Sequence, residues 1–182
     1  MATPTTLPAT FVAGNVLTAA QMNNLRGAFR VLQVVSTTKT DAFTSTSTTF
    51  VDVTGLTVSI TPSATSSKIL LVANVQWSSG SSAFGPYFKF AGGNSGNYVG
   101  DTAGNRVRTV FGQYVGASTG TMLWPSSMVY LDSPSTTSPI TYSIQTRTIS
   151  GNTGYVNRSA TDTDNEQYGR GASSITALEI SA

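Results

Sequence analysis

The stretch Lys68-Ile69-Leu70-Leu71-Val72-Ala73-Asn74-Val75-Gln76-Trp77 decides the fold. In an extended chain successive side chains point to opposite faces. That places Ile69, Leu71, Ala73, Val75 and Trp77 on one face, and Leu70, Val72, Asn74 and Gln76 on the other. One face is wholly apolar and the other mostly so at its start, which predicts a central strand. Working outward, Phe50–Val53 and Leu56–Ile60 alternate with period two around Thr54-Gly55, and Thr61-Pro62 stops them. Downstream, strand-like segments recur at 83–90, 105–115, 121–131, 140–149, 154–157 and 173–180, with turn-forming clusters between them. Short strands at this spacing predict an all-β fold, an antiparallel β-sandwich or jelly roll. The terminal strand, Ser173–Ile180, is expected inside a sheet, because a free apolar edge invites aggregation.

Composition agrees. The 182 residues include 29 Thr and 24 Ser, which favour pleated surfaces and turns. Charged residues are 10% of the chain, against about 25% in an average domain. The chain has no Cys and no His, which excludes disulfides, thiolate or imidazole metal sites, cysteine nucleophiles and a Ser-His-Asp triad. The pI of 9.0 rests on a net charge of +2, and Lys and Arg are never adjacent, so no nucleic-acid footprint is expected. The longest apolar run, 69–73, is far short of a bilayer span, and residues 1–8 lack the features of a secretory signal. No membrane insertion is expected.

The first 33 residues differ in texture. Residues 1–10 are rich in Thr, Pro and Ala and read as an extended arm. Thr18-Ala19-Ala20-Gln21 fits a capping box, with Leu17 and Met22 as its hydrophobic staple. Met22, Leu25, Phe29 and Leu32 then follow at a/d spacing, predicting a short helix. Its stripe either packs on its own domain or joins copies of the chain or a larger assembly. The expected division is an appended segment over 1–33, suited to self-association or docking, and a β domain over 34–182.

Three patterns could carry chemistry. Asp162, Asp164 and Glu166 alternate, a spacing that could converge on calcium, although Gln167 stands where a calcium loop needs Gly. The alternative is a solvated acidic loop. Asp52, Asp101, Asp132 and Glu179 are isolated in sequence and would need the fold to pair them for glycoside hydrolysis. Glu179, in an apolar strand, is a candidate for a perturbed pKa, and the simpler expectation is that it faces outward. Aromatic residues gather in the middle third, among them Tyr87, Phe88, Tyr98, Tyr114 and Trp124. They suit a core, a subunit interface or a sugar-stacking platform. The sequon Asn157-Arg158-Ser159 completes the motifs.

Several strings resemble a β domain recurrent in virion proteins of tailed bacteriophages: Phe43–Pro62, Ser66–Val72, Leu131–Thr137 with Ile140–Tyr142, and Ser173–Ile180. Phe11–Asn23 resembles an N-terminal segment of minor tail and fibre proteins from phages of actinobacteria. Such domains are similar to trimeric jelly rolls of the tumour-necrosis-factor or C1q type. The resemblance implies a homotrimeric virion surface protein (fibre, tail tip or capsid decoration) anchored by residues 1–33 to other virion proteins, with no catalytic residues. The alternative is a carbohydrate-binding module that recognises host-surface glycans.

Overall fold

A computed structural model describes residues 31–80, 84–114, 122–149 and 151–181, with Val16, Thr18 and Ala19. The helix expected around Leu17, Met22, Leu25 and Phe29 lies outside the described residues. The ten strands are β1 (Val31–Lys39), β2 (Phe43–Ser45), β3 (Val51–Ile60), β4 (Lys68–Ser79), β5 (Phe84–Ala91), β6 (Phe111–Tyr114), β7 (Trp124–Asp132), β8 (Ile140–Arg147), β9 (Gly154–Val156) and β10 (Ser173–Ile180). All pairings between named strands are antiparallel.

The pairing is nested. β1 pairs with β10, β3 with β8, β4 with β7 and β5 with β6, from the ends of the domain toward its middle. β10 also pairs with β4, and β8 with β5. The four pairs thereby join into two sheets, one running β1-β10-β4-β7, the other β3-β8-β5-β6. β9 joins the C-terminal end of β4, and β2 joins β9.

One core fills the space between the sheets. β4 supplies Ile69, Leu71, Ala73, Val75 and Trp77, all buried as its alternation predicts. Facing them are Val53, Leu56, Val58 and Ile60 of β3, Phe88 and Phe90 of β5, and Tyr142 and Ile144 of β8. Trp77 is the centre of an aromatic group, stacked on Trp124 at 5.0 Å and tilted against Phe88 and Phe111. Gly112 is required beside it, because a Cβ there would run into the Tyr87 ring.

Three local expectations are corrected. Leu32, expected as the last a/d position of the helix, lies in β1, which begins at Val31 rather than at 34. Neighbouring β-branched Val31, Val34 and Val35 favour strand, and pairing with β10 satisfies the backbone there. The two segments expected around Thr54-Gly55 form one strand, β3, whose register shifts between Asp52 and Thr57. Gly55 takes a φ of +81° inside that irregularity, a conformation open to Gly. Of the expected strand at 105–115, Phe111–Tyr114 forms and residues 105–110 do not.

Candidate functional site

The register of β10 gives the domain two ends. Ile180 lies opposite Val31 and Ser173 opposite Lys39. Residues 1–30 therefore join at the Ile180 end, and the β9–β10 loop emerges at the other, about 26 Å away at the rise of a strand.

At the Val31 end, Glu179 is corrected from an outward position to a fully buried one, on the same face as Ile175 and Ala177. No cation reaches it among the described residues. Its Oε1 accepts hydrogen bonds from the Ser63 amide (2.7 Å), Ser63 Oγ (2.6 Å) and Ser67 Oγ (2.6 Å). Gln33 Nε2 donates to its Oε2 at 2.7 Å. Burial alone would raise its pKa; the bonds from Ser63, Ser67 and Gln33 outweigh it and pull the pKa from 4.5 down to about 2. The carboxylate thus holds the β3–β4 connection against β1 and β10. Asp132, also buried, accepts the Tyr142 hydroxyl at 2.7 Å and the amides of Asn94 and Ser133. Burial, then Asp132, pushes the Tyr142 phenol well above its usual range. Asp52 accepts bonds from Ser143 and Gln145. These three carboxylates are held by neutral donors; Glu179 and Asp132 lie in one row on either side of Ile69, each with its own set of donors.

The outer face of the larger sheet is apolar at this same end. Val34 lies opposite Leu178, Leu178 opposite Leu70, and Leu70 opposite Leu131, one row across four strands. In the adjacent row Val72 lies opposite Val129. Val34, Leu131, Val129 and Val72 are 57%, 53%, 51% and 38% exposed, far more than core residues of their type. The charge on this face of β1, β10, β4 and β7 is Lys68, at its margin and bonded to Ser133.

At the far end, Asn157 organises the β9–β10 loop. It is fully buried, with a φ of +63°, a region that Asn enters more readily than most residues. Its Nδ2 donates to the Lys39 and Asp41 carbonyls, and its Oδ1 accepts Ser173 Oγ at 2.6 Å. Every polar atom of its amide group is in use, so the sequon is closed to a glycan in the folded chain. An isolated bridge between Arg158 and Arg170 ties the two legs of the loop. Asp162 is paired with two arginines of the loop. Its Oδ2 takes Arg158 Nη1 at 2.8 Å and its Oδ1 takes Arg170 Nη2 at 2.5 Å. No group of three carboxylates that could hold a metal ion occurs among the described residues. The loop instead walls a cavity of about 320 Å³, lined by Asp162, Thr163, Asp164, Asn165, Tyr168 and Arg170.

The aromatic residues separate. Phe88 is wholly core, Trp124 is half-buried on Trp77, and Tyr87 covers Gly112. Tyr114 takes its place in β6 opposite Phe84. Tyr98 is exposed, stacked on Tyr130 at 4.8 Å beside a second cavity of about 310 Å³. Phe88, Trp124, Tyr87 and Tyr98 do not form one platform. The apolar row was not anticipated as a site, and the far loop was singled out for its carboxylates alone. The outward Leu70, Leu178 and Leu131 were legible by period two, and Arg158 and Arg170 flank Asp162 in sequence.

No family model and no curated protein matches the chain. Among solved structures, it is similar to a chain in the structure of infectious bursal disease virus Gx strain, at 15% identity and a TM-score of 0.32. The match covers 81% of this chain and 40% of that one, so this chain spans less than half its length. A likeness of that size carries no argument about function.

Proposed function

We propose that this chain is a non-enzymatic structural protein of a bacteriophage virion. In this reading three copies form a surface-exposed fibre, tail-tip or decoration unit, attached to other virion proteins through residues 1–33. The four nested strand pairs are those of a jelly roll, a rolled antiparallel hairpin used in viral particle proteins. The sequence strings at 43–62 and 173–180 that resemble phage β domains fall on β2–β3 and on β10.

The observation that carries the reading is the apolar row Val34–Leu178–Leu70–Leu131, uncovered among the described residues and nearly free of charge. Contiguous exposed apolar surface rimmed by polar residues marks contact with another macromolecule. A like copy suits this face, because no charge on it calls for a partner of opposite sign. The expected mass by light scattering is that of three 19.0 kDa chains. Leu131→Asp in the full chain places a charge at the row's edge and should reduce the mass to one chain without changing the circular dichroism. An unchanged mass removes the row as the contact. Absence of the chain from purified phage particles removes the virion placement.

A further inference from the structure

We propose that the cavity in the β9–β10 loop binds a neutral saccharide, with the Tyr168 ring and the polar groups of Asp164, Asn165 and Arg170 as its walls. The proposal goes beyond the structural role and does not depend on trimerisation.

The chemistry of the lining selects the ligand. Asp164 makes no hydrogen bond or ion pair among the described residues, so its carboxylate is a free acceptor. Asn165 uses its Oδ1 on the Gln167 amide and keeps its Nδ2 as a donor. Arg170 spends Nη2 on Asp162 and keeps Nε and Nη1. Thr163 adds a hydroxyl, and Tyr168 an aromatic face with a polar tip. Each sugar hydroxyl both donates and accepts, and each pyranose carries an apolar C–H face that suits a ring. A wall with free donors, a free acceptor and one aromatic matches that combination.

Charge argues against the competitors. Arg158 and Arg170 oppose a cation, and both flank the one carboxylate, Asp162, that could have begun a metal site. Asp164 and Glu166 oppose an anion. With two arginines against three carboxylates the loop is close to neutral, so a neutral polyol meets the least opposition.

The loop is also built to hold its shape. Gly171 N donates to the Asn157 carbonyl, Ser159 Oγ to the Thr161 carbonyl, and Tyr168 N to the Asn165 carbonyl. Arg158 lies over the Tyr155 ring at 4.4 Å and donates to Asp162, Ser159 and Ala160. A preformed cavity loses little freedom on binding. The volume, about 320 Å³, is at the small end of ligand pockets, which suits a single sugar ring. Its location matters too: it opens at the end of the domain farthest from Val31, the end a projecting domain presents outward.

The test is a nuclear magnetic resonance titration of the full isotope-labelled chain with methyl glucoside, methyl galactoside, methyl mannoside and N-acetylglucosamine, and separately with calcium chloride. At least one sugar should shift amides within 159–171, saturably and in the millimolar range. Tyr168→Ala and Asp164→Ala should each weaken it about tenfold, the scale of one lost ring or hydrogen-bond contact, with the spectrum of the rest of the domain unchanged. Three results overturn the proposal. The first is no shift in this loop with any of the four sugars. The second is binding that both variants leave intact, or that maps to Tyr98. The third is saturation of the loop by calcium alone.

Discussion

Each end of the larger sheet has a fully buried polar side chain that ties distant segments together, Glu179 near Val31 and Asn157 at the far end. Both reach residues distant in sequence and both fix a connection against the same strands. They differ in charge. Asn157 is a neutral amide whose donors and acceptor are matched by carbonyls and a hydroxyl. Glu179 is an anion whose four bonds all come from neutral donors. An amide holds its partners at any pH, while a carboxylate holds its donors only when ionised. The end bearing the apolar row therefore depends on a buried carboxylate, while the buried hub of the far end is neutral and the carboxylates there, Asp41 on Lys39 and Asp162 on its arginines, are at least partly exposed.

The largest expected effect breaks the neutral end. Asn157→Ala strands the Lys39 carbonyl and Ser173 hydroxyl in buried positions, at about 1–3 kcal/mol for each unsatisfied group. It also puts Ala at a φ of +63°, a further cost of about 1 kcal/mol. A loss of about 4 kcal/mol should lower the melting temperature by roughly 8–16 °C in a chain of this size. Asn157→Gly restores the backbone and not the bonds, so it should recover about 1 kcal/mol of that loss. Calorimetry separates the two contributions, and an Ala variant within experimental error of the parent would show that Asn157 organises nothing.

Breaking the charged end should cost less at neutral pH and leave a distinct signature in acid. Glu179→Gln keeps the shape but gives an amide NH₂ to a pocket of donors, at about 2 kcal/mol. The sign of the pH dependence follows from a folded pKa of about 2, below the ordinary 4.5. The depressed value means that ionised Glu179 stabilises the fold fully above about pH 4.5. That contribution fades as the pH falls toward 2. Urea titrations between pH 6 and 2 should therefore show a steeper acid decline in the parent than in Glu179→Gln. Parallel curves would mean that the carboxylate is not stabilised by its neighbours.

The same contrast explains what was legible in the sequence. β4 and β10 were readable because their alternation is local, and both are strands of the larger sheet, with β10 spanning the expected residues. Period two also puts Glu179 on the face of Ile175 and Ala177, yet a buried carboxylate is intelligible only with Ser63 and Ser67, more than a hundred residues away in sequence. Leu32 misled for a different reason. Its spacing from Met22, Leu25 and Phe29 fits a helix, while the partner that makes it strand is the last strand of the chain. Asp162 was legible only in part: the alternating carboxylates left a cation site and a solvated loop both open, while Arg158, four residues before, and Arg170, eight after, supply the charge it meets.

Asp162 gives the smallest expected effect and sharpens the comparison. It is partly exposed, and both arginines remain in reach of water, so screening reduces what either ion pair contributes. Asp162→Asn should cost less than about 1 kcal/mol, and added salt should shrink the difference further. Stability is not where the substitution should register. Asn can still accept one hydrogen bond from each guanidinium in turn but cannot hold both as an anion. Arg170, the more exposed of the two, is then released from its place in the cavity wall. The expected result is a near-parental melting curve with altered amide shifts at 163–170 and unaltered shifts around Asn157. Shifts that spread to Lys39 and Ser173 would show that the loop tip and the buried hub are one unit, and that the far end is stabilised by its ion pairs as well as by Asn157.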